Sequence, residues 1–247
     1  MARTVLVTGA NRGIGQHVAS VLARDGWDVL IGSRDGKKGE ASAARLRKET
    51  GGRLRAVELD VTDEVAIATA ARKLRDGAIR IDALVNNAGI YGGAHVTDMV
   101  KTNFLGPLRV TLGLRPLLTD DATIVNVTSG LGALANLDDD HRRLLADPAL
   151  TRDALVAAME AFVRDGGRGW GTDAYGVSKA ALNALTRILA RELAPIRVNA
   201  TDPGWVRSDM GGRGAPRSIE QGAASVLFAV TTTETGRVFR DGARIAP

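Results

Sequence analysis

The feature that most constrains this fold is a regular alternation of short apolar runs with longer helical segments. The apolar runs are rich in β-branched residues and predict strands at residues 4–8, 28–32, 54–59, 83–86, 123–128, 197–200 and 237–240. Between them, the sequence predicts helices at residues 14–24, 37–49, 63–75, 97–118, 173–193 and 218–230. Because such alternation builds βαβ units, we expect a doubly wound parallel α/β sheet with helices on both faces. The length of 247 residues suits one domain, residues 1–247.

One segment interrupts this alternation. Residues 131–171 lie between a predicted strand and a predicted helix, and residues 150–163 have a helical pattern of their own. Five apolar side chains at helical spacing would form the packing face of this pattern: Leu150, Leu155, Val156, Met159 and Phe162. We interpret the segment as a helical insertion and not as a second domain.

Composition excludes several kinds of chemistry. The chain has no cysteine, which rules out disulfides, a thiol nucleophile and cysteine-ligated metal. Its histidines, His17, His95 and His141, lie too far apart in sequence for a metal-ligand pattern, so we expect no metal. No apolar run approaches a membrane span, and the first strand begins too early to leave room for a signal peptide. Together with the lack of cysteine, this favours the cytoplasm.

The charge balance argues against polyanionic partners. There are 33 basic and 28 acidic residues, which gives a net charge of +5, but the basic residues are scattered among acidic ones. Only 4% of the residues are aromatic, which leaves few platforms for stacking bases. We therefore expect neither a nucleic-acid partner nor a membrane surface.

A glycine-rich turn follows the first predicted strand, with the sequence TGANRGIG at residues 8–15. Glycines permit a tight turn and let a pyrophosphate approach the N-terminus of the next helix, where free N–H groups favour an anion. The spacing Gly-x3-Gly-x-Gly differs from the common GxGxxG, and glycine also closes ordinary turns. The strand–turn–helix context nevertheless favours a dinucleotide site.

The residue after the second predicted strand bears on which dinucleotide binds. Sites for NAD usually carry an acidic residue roughly 20 residues beyond the glycines, but this chain has Arg34 there. Arg34 and Arg12 could clamp the 2′-phosphate of NADPH with their planar guanidinium groups, or both could be solvated surface residues. Asp35 comes one residue late and fits a turn beside Gly36. We therefore predict NADPH and not NADH.

Tyr175 and Lys179 provide a candidate acid–base pair. Their spacing of four at the start of a predicted helix places both side chains on one helical face. A nearby ammonium favours a phenolate, so we predict that Lys179 lowers the pKa of Tyr175 and that the phenol exchanges a proton with a carbonyl or alcohol oxygen. An interfacial tyrosine and a surface lysine would produce the same spacing.

Two further stretches end predicted strands and would face the same crevice. Ser129 follows the fifth predicted strand, and its hydroxyl could bind the oxygen of a substrate. The stretch Asn87-Ala88-Gly89 follows the fourth, and its small residues would let a cofactor lie close. Either stretch could also be a simple turn.

In this order, the glycine-rich turn, the Asn-Asn-Ala-Gly stretch, the serine and the Tyr-x3-Lys pair resemble the short-chain dehydrogenase/reductase family over essentially the whole chain. The resemblance implies a Rossmann-type fold with seven parallel strands and an NAD(H) or NADP(H) cofactor. It implies that Tyr175 is the acid/base, Lys179 its electrostatic partner and a ribose ligand, and Ser129 the ligand of the substrate oxygen. It also implies that the main chain of Asn103 holds a proton-relay water. Cofactor contacts are implied for Gly9, Asn11, Arg12, Gly13, Ile14, Gly15, Arg34, Asp60, Val61, Asn87, Ala88, Gly89, Tyr175, Lys179, Pro203, Gly204, Val206 and Ser208.

The 45 residues between Ser129 and Tyr175, with KTNFLG at residues 101–106 and PGWVRSDM at 203–210, resemble the carbonyl-reductase-like branch of that family. This resemblance implies NADPH-dependent reduction of lipophilic ketones, aldehydes or quinones. It also implies a monomer, with a dimer as the alternative, because the insertion covers a face that other members use to form tetramers. The candidate walls of the substrate pocket are Tyr91, Leu131, Trp205 and Met210. The competing hypotheses are an NAD(P)+-dependent alcohol dehydrogenase and a non-catalytic dinucleotide sensor.

Overall fold

A computed structural model describes residues 2–247, and a single mixed sheet forms its centre. The strand order across the described residues is β3-β2-β1-β4-β5-β6-β7-β8. The strands are β1 (Thr4–Thr8), β2 (Asp28–Ser33), β3 (Arg53–Glu58), β4 (Ile81–Asn86), β5 (Leu118–Val127), β6 (Arg197–Thr201), β7 (Val238–Arg240) and β8 (Ala243–Ile245). The pairs from β3 to β7 are all parallel, which confirms the doubly wound α/β prediction.

The predicted count of seven strands is one too few for this sheet. β8 pairs with β7 in the antiparallel direction, and Arg240 lies opposite Ala243. The two residues between them, Asp241 and Gly242, have φ values of 50° and 78°. A two-residue hairpin turn with positive φ at both positions matches the twist of the strands and favours Asp-Gly. That dipeptide is the sequence signal for β8.

Helices cover both faces of the sheet. They are α1 (Gly13–Arg24), α2 (Gly36–Thr50), α3 (Glu64–Asp76), α4 (Val96–Val100), α5 (Gly106–Leu114), α6 (Asp139–Ala146), α7 (Arg152–Arg164), α8 (Ala174–Glu192) and α9 (Ile219–Thr231). Several begin where a polar side chain accepts a hydrogen bond from an N–H group of the first turn, as Asp63 does for α3 and Asp173 for α8.

The helix predicted at residues 97–118 is present, but it contains a π-helical turn and its last α-helical residue is Leu114. α4 passes into a π-helical turn, Lys101–Leu105, and α5 begins at Gly106. Pro107 lies in the first turn of α5, directly after the π-helical turn, and it offers no N–H to a carbonyl of that preceding turn. A second proline, Pro116, lies in a short 3₁₀ turn, and β5 begins two residues later.

The core lies in two layers, one on each face of the sheet. Within β1, Leu6 packs with residues of α3, α5 and α8, whereas Val5 and Val7 pack with residues of α1 and α9. Strands buried on both faces have continuous apolar sequences, which is why their positions could be predicted. Within residues 2–247, no helix is long and apolar enough to cross a bilayer.

Candidate active site

The candidate residues meet along the carboxyl edge of the sheet. The glycine-rich turn follows β1, residues 87–89 follow β4, Ser129 follows β5 and residues 203–208 follow β6. Because these strands are parallel and adjacent, their carboxyl ends open on one crevice. The structure therefore brings together residues that are distant in sequence.

Lys179 and Tyr175 lie on the buried side of the first turns of α8. The Lys179 side chain is fully enclosed, and its Nζ donates a 2.8 Å hydrogen bond to the carbonyl oxygen of Val127 in β5. The same Nζ is 5.7 Å from the centre of the Tyr175 ring. A Cβ at Gly89 would lie 3.6 Å from this Nζ and 3.2 Å from Oδ1 of Asn103. The lack of a side chain at Gly89 thus brings Asn103 and Lys179 close together.

The side chain of Asn103 braces the site. Its Oδ1 accepts a 2.9 Å hydrogen bond from the N–H of Ile90, and its Nδ2 donates to the carbonyl oxygen of Ile90 at 3.0 Å. Its Nδ2 also reaches Oγ of Ser178 at 3.2 Å, and Ser178 donates to the carbonyl oxygen of Tyr175 at 2.7 Å. Asn103 therefore ties the loop after β4 to the turn of α8 that carries Tyr175.

Burial shifts the pKa of both Tyr175 and Lys179. Burial raises the pKa of Tyr175 to about 12, and a hydrogen bond with the Ser129 side chain acts in the opposite direction. Burial also lowers the pKa of Lys179 to about 8. The prediction of a lowered phenol pKa is wrong for the chain alone, because burial of the phenol is the largest influence and raises its pKa. The phenol is therefore protonated at neutral pH and can donate a proton.

The glycine-rich turn presents an open helix N-terminus to the crevice. Arg12 is the N-cap residue of α1 and makes no side-chain cap, and the first turn of α1 has no acidic residue. Gly13 has a φ of 58°, and a Cβ there would meet nothing within 4 Å. Open space beside uncapped N–H groups fits a pyrophosphate. Asn11 and Ile14 flank the same opening.

Two glycines of this turn are required by packing. A Cβ at Gly15 would lie 2.4 Å from Nδ2 of Asn87, and one at Gly9 would lie 3.0 Å from the Cα of Ala88. The same Nδ2 donates a 2.9 Å hydrogen bond to the carbonyl oxygen of Thr8. The Asn87 amide thus holds the glycine-rich turn against the end of β4.

The two arginines predicted for the 2′-phosphate differ in their surroundings. Arg34 is exposed at the carboxyl end of β2. Arg12 forms a 2.8 Å ion pair with Asp209, and both side chains are more than 70% exposed. Because exposed ion pairs contribute little free energy, Arg12 can exchange this partner for a phosphate. Asp35 caps α2 by accepting the N–H of Lys38 at 3.0 Å, which confirms that it is a turn residue.

The remaining predicted cofactor residues lie in the loops after β3 and β6. Oδ1 of Asp60 accepts two hydrogen bonds from Thr62, at 2.9 and 2.7 Å, and Val61 is buried. In the second loop, Pro203 and Val206 are buried and Gly204 has a φ of 74°. Ser208 closes a local turn, since its Oγ accepts the N–H of Gly211 at 3.2 Å.

The four candidate pocket walls are all substantially exposed: Tyr91, Leu131, Trp205 and Met210. The Tyr91 ring meets Tyr175 edge to face, with 4.6 Å between ring centres. Leu131 lies two residues after Ser129, and the indole of Trp205 donates to the carbonyl oxygen of Gly211 at 2.8 Å. Of these four side chains, Tyr91 is the one whose contact with Tyr175 is seen directly.

Asp202 and its partner Arg240 were not predicted as site residues. Asp202 is 1% exposed at the carboxyl end of β6 and forms an ion pair with Arg240 of β7. The available signal was a charged residue placed directly between a buried strand and Pro203. In the described part of the chain, no group of three or more metal-ligating side chains lies together.

Comparison with known proteins places this arrangement among reductases. Residues 3–137 match a family model described as short chain dehydrogenase, and residues 145–235 match one described as Enoyl-(Acyl carrier protein) reductase. The Sus scrofa protein carbonyl reductase [NADPH] 1 is 36% identical over 251 residues, which cover 92% of this chain and 86% of that protein. The structure of salutaridine reductase from Papaver somniferum superimposes with a TM-score of 0.87 at 27% identity, over 97% of this chain and 99% of that one. An NADPH-bound carbonyl reductase from chicken fatty liver has a TM-score of 0.72 at 26% identity, over 99% of both chains.

Proposed function

Because this chain belongs to the short-chain dehydrogenase/reductase family, we propose that it reduces a ketone, aldehyde or quinone to an alcohol with NADPH. The observation that carries the proposal is the buried phenol of Tyr175, which is protonated at neutral pH and has Ser129 and Lys179 beside it. The pig relative is named as an NADPH carbonyl reductase, which supports the same activity.

The chain's own residues would divide the work at the carbonyl group. NADPH, when bound, supplies the hydride that the carbonyl carbon receives. Ser129 would hold the carbonyl oxygen, and Tyr175 would give its proton to that oxygen as charge develops there. Because the pKa of Lys179 is about 8, its side chain carries a positive charge at neutral pH and can hold a ribose hydroxyl. Asn103 would contribute by fixing the turn that carries Tyr175, beside the relay water proposed at its main chain.

The preference for NADPH would depend on the 2′-phosphate. Arg34 and Arg12 offer planar guanidinium groups near the carboxyl end of β2 and beside the glycine-rich turn. The one nearby acid at the end of β2, Asp35, is engaged as the cap of α2. An NADPH-bound structural relative supports this choice.

The substrate would be lipophilic, and the protein a cytoplasmic monomer. The exposed Tyr91 ring against Tyr175, together with exposed Leu131, Trp205 and Met210 in the loops after β5 and β6, favours an apolar substrate. The insertion packs on α8 and would occupy a face needed for tetramer assembly. A chain without cysteine suits a reducing compartment.

NADPH consumption by the purified protein tests the proposal against a panel of ketones, aldehydes and quinones, with NADH in parallel. We expect turnover with NADPH on at least one lipophilic carbonyl compound. Tyr175→Phe should lower kcat by about 10²- to 10⁴-fold, the usual contribution of a general acid. It should still bind NADPH, measured by the change in NADPH fluorescence. Binding of NADPH without turnover on any compound would instead favour a dinucleotide sensor.

A further inference from the structure

A charged side chain that the proposed reaction does not use is buried at the carboxyl end of β6, close enough for its charge to act on Tyr175. Asp202 follows β6 and is 1% exposed. Its Oδ1 accepts a 2.7 Å hydrogen bond from the N–H of Gly204, which lies in the loop after β6 for which cofactor contacts are expected. An ionised carboxylate is costly to bury unless it is paired, so its place here needs a reason.

The partner of this carboxylate comes from the end of the chain. Arg240, in β7, forms an ion pair with Oδ2 of Asp202 through its Nη2. Both groups lie close to Gly130, the residue after Ser129. A Cβ at Gly130 would lie 2.6 Å from Nη2 of Arg240 and 3.0 Å from Oδ2 of Asp202. The pair therefore touches the loop after β5 and the loop after β6 at once.

We propose that Asp202 and Arg240 form a positioning pair that holds the Ser129 and Gly204 loops in place and balances the charge near Tyr175. The inference rests on the proposed reductase function. Neither residue is assigned contact with the substrate. Their influence on the reaction passes through Tyr175 and the two loops.

The electrostatic part of the proposal follows from the charges around Tyr175. The negative charge of Asp202 raises the pKa of Tyr175, as do Tyr91 after β4 and Asp173 at the start of α8. Asp202 also raises the pKa of Lys179, the cation on the same face of α8. Arg240 faces Asp202 from β7 and offsets part of its field. Removing either member of the pair should therefore change the net charge near the phenol, in opposite directions.

Two conservative variants test the direction in which each residue shifts the pH dependence of kcat. Reduction needs both the protonated phenol and the positively charged Lys179, so kcat falls as the pH rises through the lower of their two pKa values. Because Asp202 raises the pKa of both groups, the direction of the expected shift is the same for either. Asp202→Asn keeps an oxygen for Gly204 but removes the negative charge, and it should move this fall to lower pH by roughly half a unit to one unit. Arg240→Gln leaves Asp202 unpaired and should move the fall in kcat to higher pH by a similar amount. The double variant should lie between the two.

The matched control is Arg244→Gln in β8. Arg244 belongs to the same hairpin, is 63% exposed and pairs with Glu234 instead of the site. It should leave the pH profile of kcat unchanged. Shifts of Asp202→Asn and Arg240→Gln in the same direction, or loss of kcat without any shift, would overturn the proposal. If Asp202→Asn fails to fold, Arg240→Gln carries the test, because its side chain is 41% exposed.

A second measurement separates this inference from the proposed activity. The chain contains two tyrosines, so Tyr91→Phe leaves Tyr175 as the sole source of tyrosinate absorbance. Alkaline titration of that absorbance, with NADP+ bound, reports the phenol directly and needs no turnover. Asp202→Asn and Arg240→Gln in this background should again shift the titration in opposite directions. If both variants titrated like the Tyr91→Phe background, the proposed effect of the pair on Tyr175 would be rejected, even if the wild-type protein proves to be an active reductase.

Discussion

Burying a charged side chain in this site lowers the stability of the fold, and Lys179 is the most direct example. Its side chain is fully enclosed and its ammonium bonds to a backbone carbonyl of β5, not to a carboxylate. Burial lowers its pKa to about 8, compared with 10.5 for a free lysine. Charge at this position therefore opposes folding at neutral pH, while the proposed reaction requires it.

This cost predicts a specific dependence of stability on pH. Between about pH 8 and pH 10, folded Lys179 has lost its proton while the unfolded chain retains it, so the unfolded state binds more protons. The free energy of unfolding should then rise with pH, by an amount approaching about 1 kcal/mol per pH unit from this residue. Above pH 10 the raised pKa of Tyr175 acts in the opposite direction. Urea denaturation of the protein without cofactor should show the rise in the wild type and its loss in Lys179→Met. Lys48→Met, on the exposed side of α2, should keep the rise, and parallel curves for the wild type and Lys179→Met would contradict the argument.

The arginines near the glycine-rich turn predict a change of cofactor preference. Arg34→Asp, alone or combined with a change at Arg12, should raise KM for NADPH by about 10- to 100-fold, the loss expected for one charge-assisted contact. KM for NADH should change little or fall. Steady-state kinetics with both cofactors measure the ratio. Arg72→Asp, on the exposed face of α3, is the matched control and should leave the ratio unchanged. An unaltered preference in Arg34→Asp would show that Arg34 does not bind the phosphate.

At the scale of secondary-structure elements, prediction succeeded where one local pattern decides the outcome. β1 has the predicted bounds because its residues are buried on both faces, so its apolar run is continuous. The helix predicted at residues 97–118 is present, but its π-helical turn was not predicted, because apolar periodicity does not reveal such a turn between α4 and α5. β8 was not predicted because its three residues are short of any pattern, two of them exposed and one half-buried, although the Asp-Gly turn before them was visible.

In the candidate site too, features set by local spacing could be predicted, and contacts between distant residues could not. The glycine-rich turn and the Tyr175–Lys179 pair are local spacings, so the sequence could indicate them. The pairing of Asp202 with Arg240 joins residues 38 apart, and that of Arg12 with Asp209 joins residues 197 apart. No local spacing encodes such contacts, because they follow from the order of strands in the sheet. The direction of the Tyr175 pKa also depended on burial, which the spacing of two residues does not contain.

Over the whole molecule, the insertion is part of the main core. Leu155, Met159 and Phe162 of α7 are at most 1% exposed and belong to the same apolar cluster as α8. Two arginines of α8 reach the insertion: Arg187 donates to the carbonyl oxygen of Leu145, and Arg191 to that of Leu150 at 3.0 Å. α6 and α7 therefore cover α8 along a surface that would otherwise be apolar and exposed.

A covered α8 predicts a monomer in solution, which light scattering after gel filtration can measure at low and high protein concentration. Phe162→Ala tests the cause, because this side chain is 1% exposed and meets Trp170 edge to face with 5.4 Å between ring centres. The cavity left by the missing ring should lower the free energy of unfolding by about 3–5 kcal/mol. We expect it also to weaken the packing of α7 on α8 and to expose the apolar surface of α8, so that the variant associates as its concentration rises. Val65→Ala removes an equally apolar but 74% exposed side chain from α3 and should remain monomeric. A wild-type tetramer that persists at low concentration would show that the insertion does not block assembly, because α8 would then pair across subunits despite its cover.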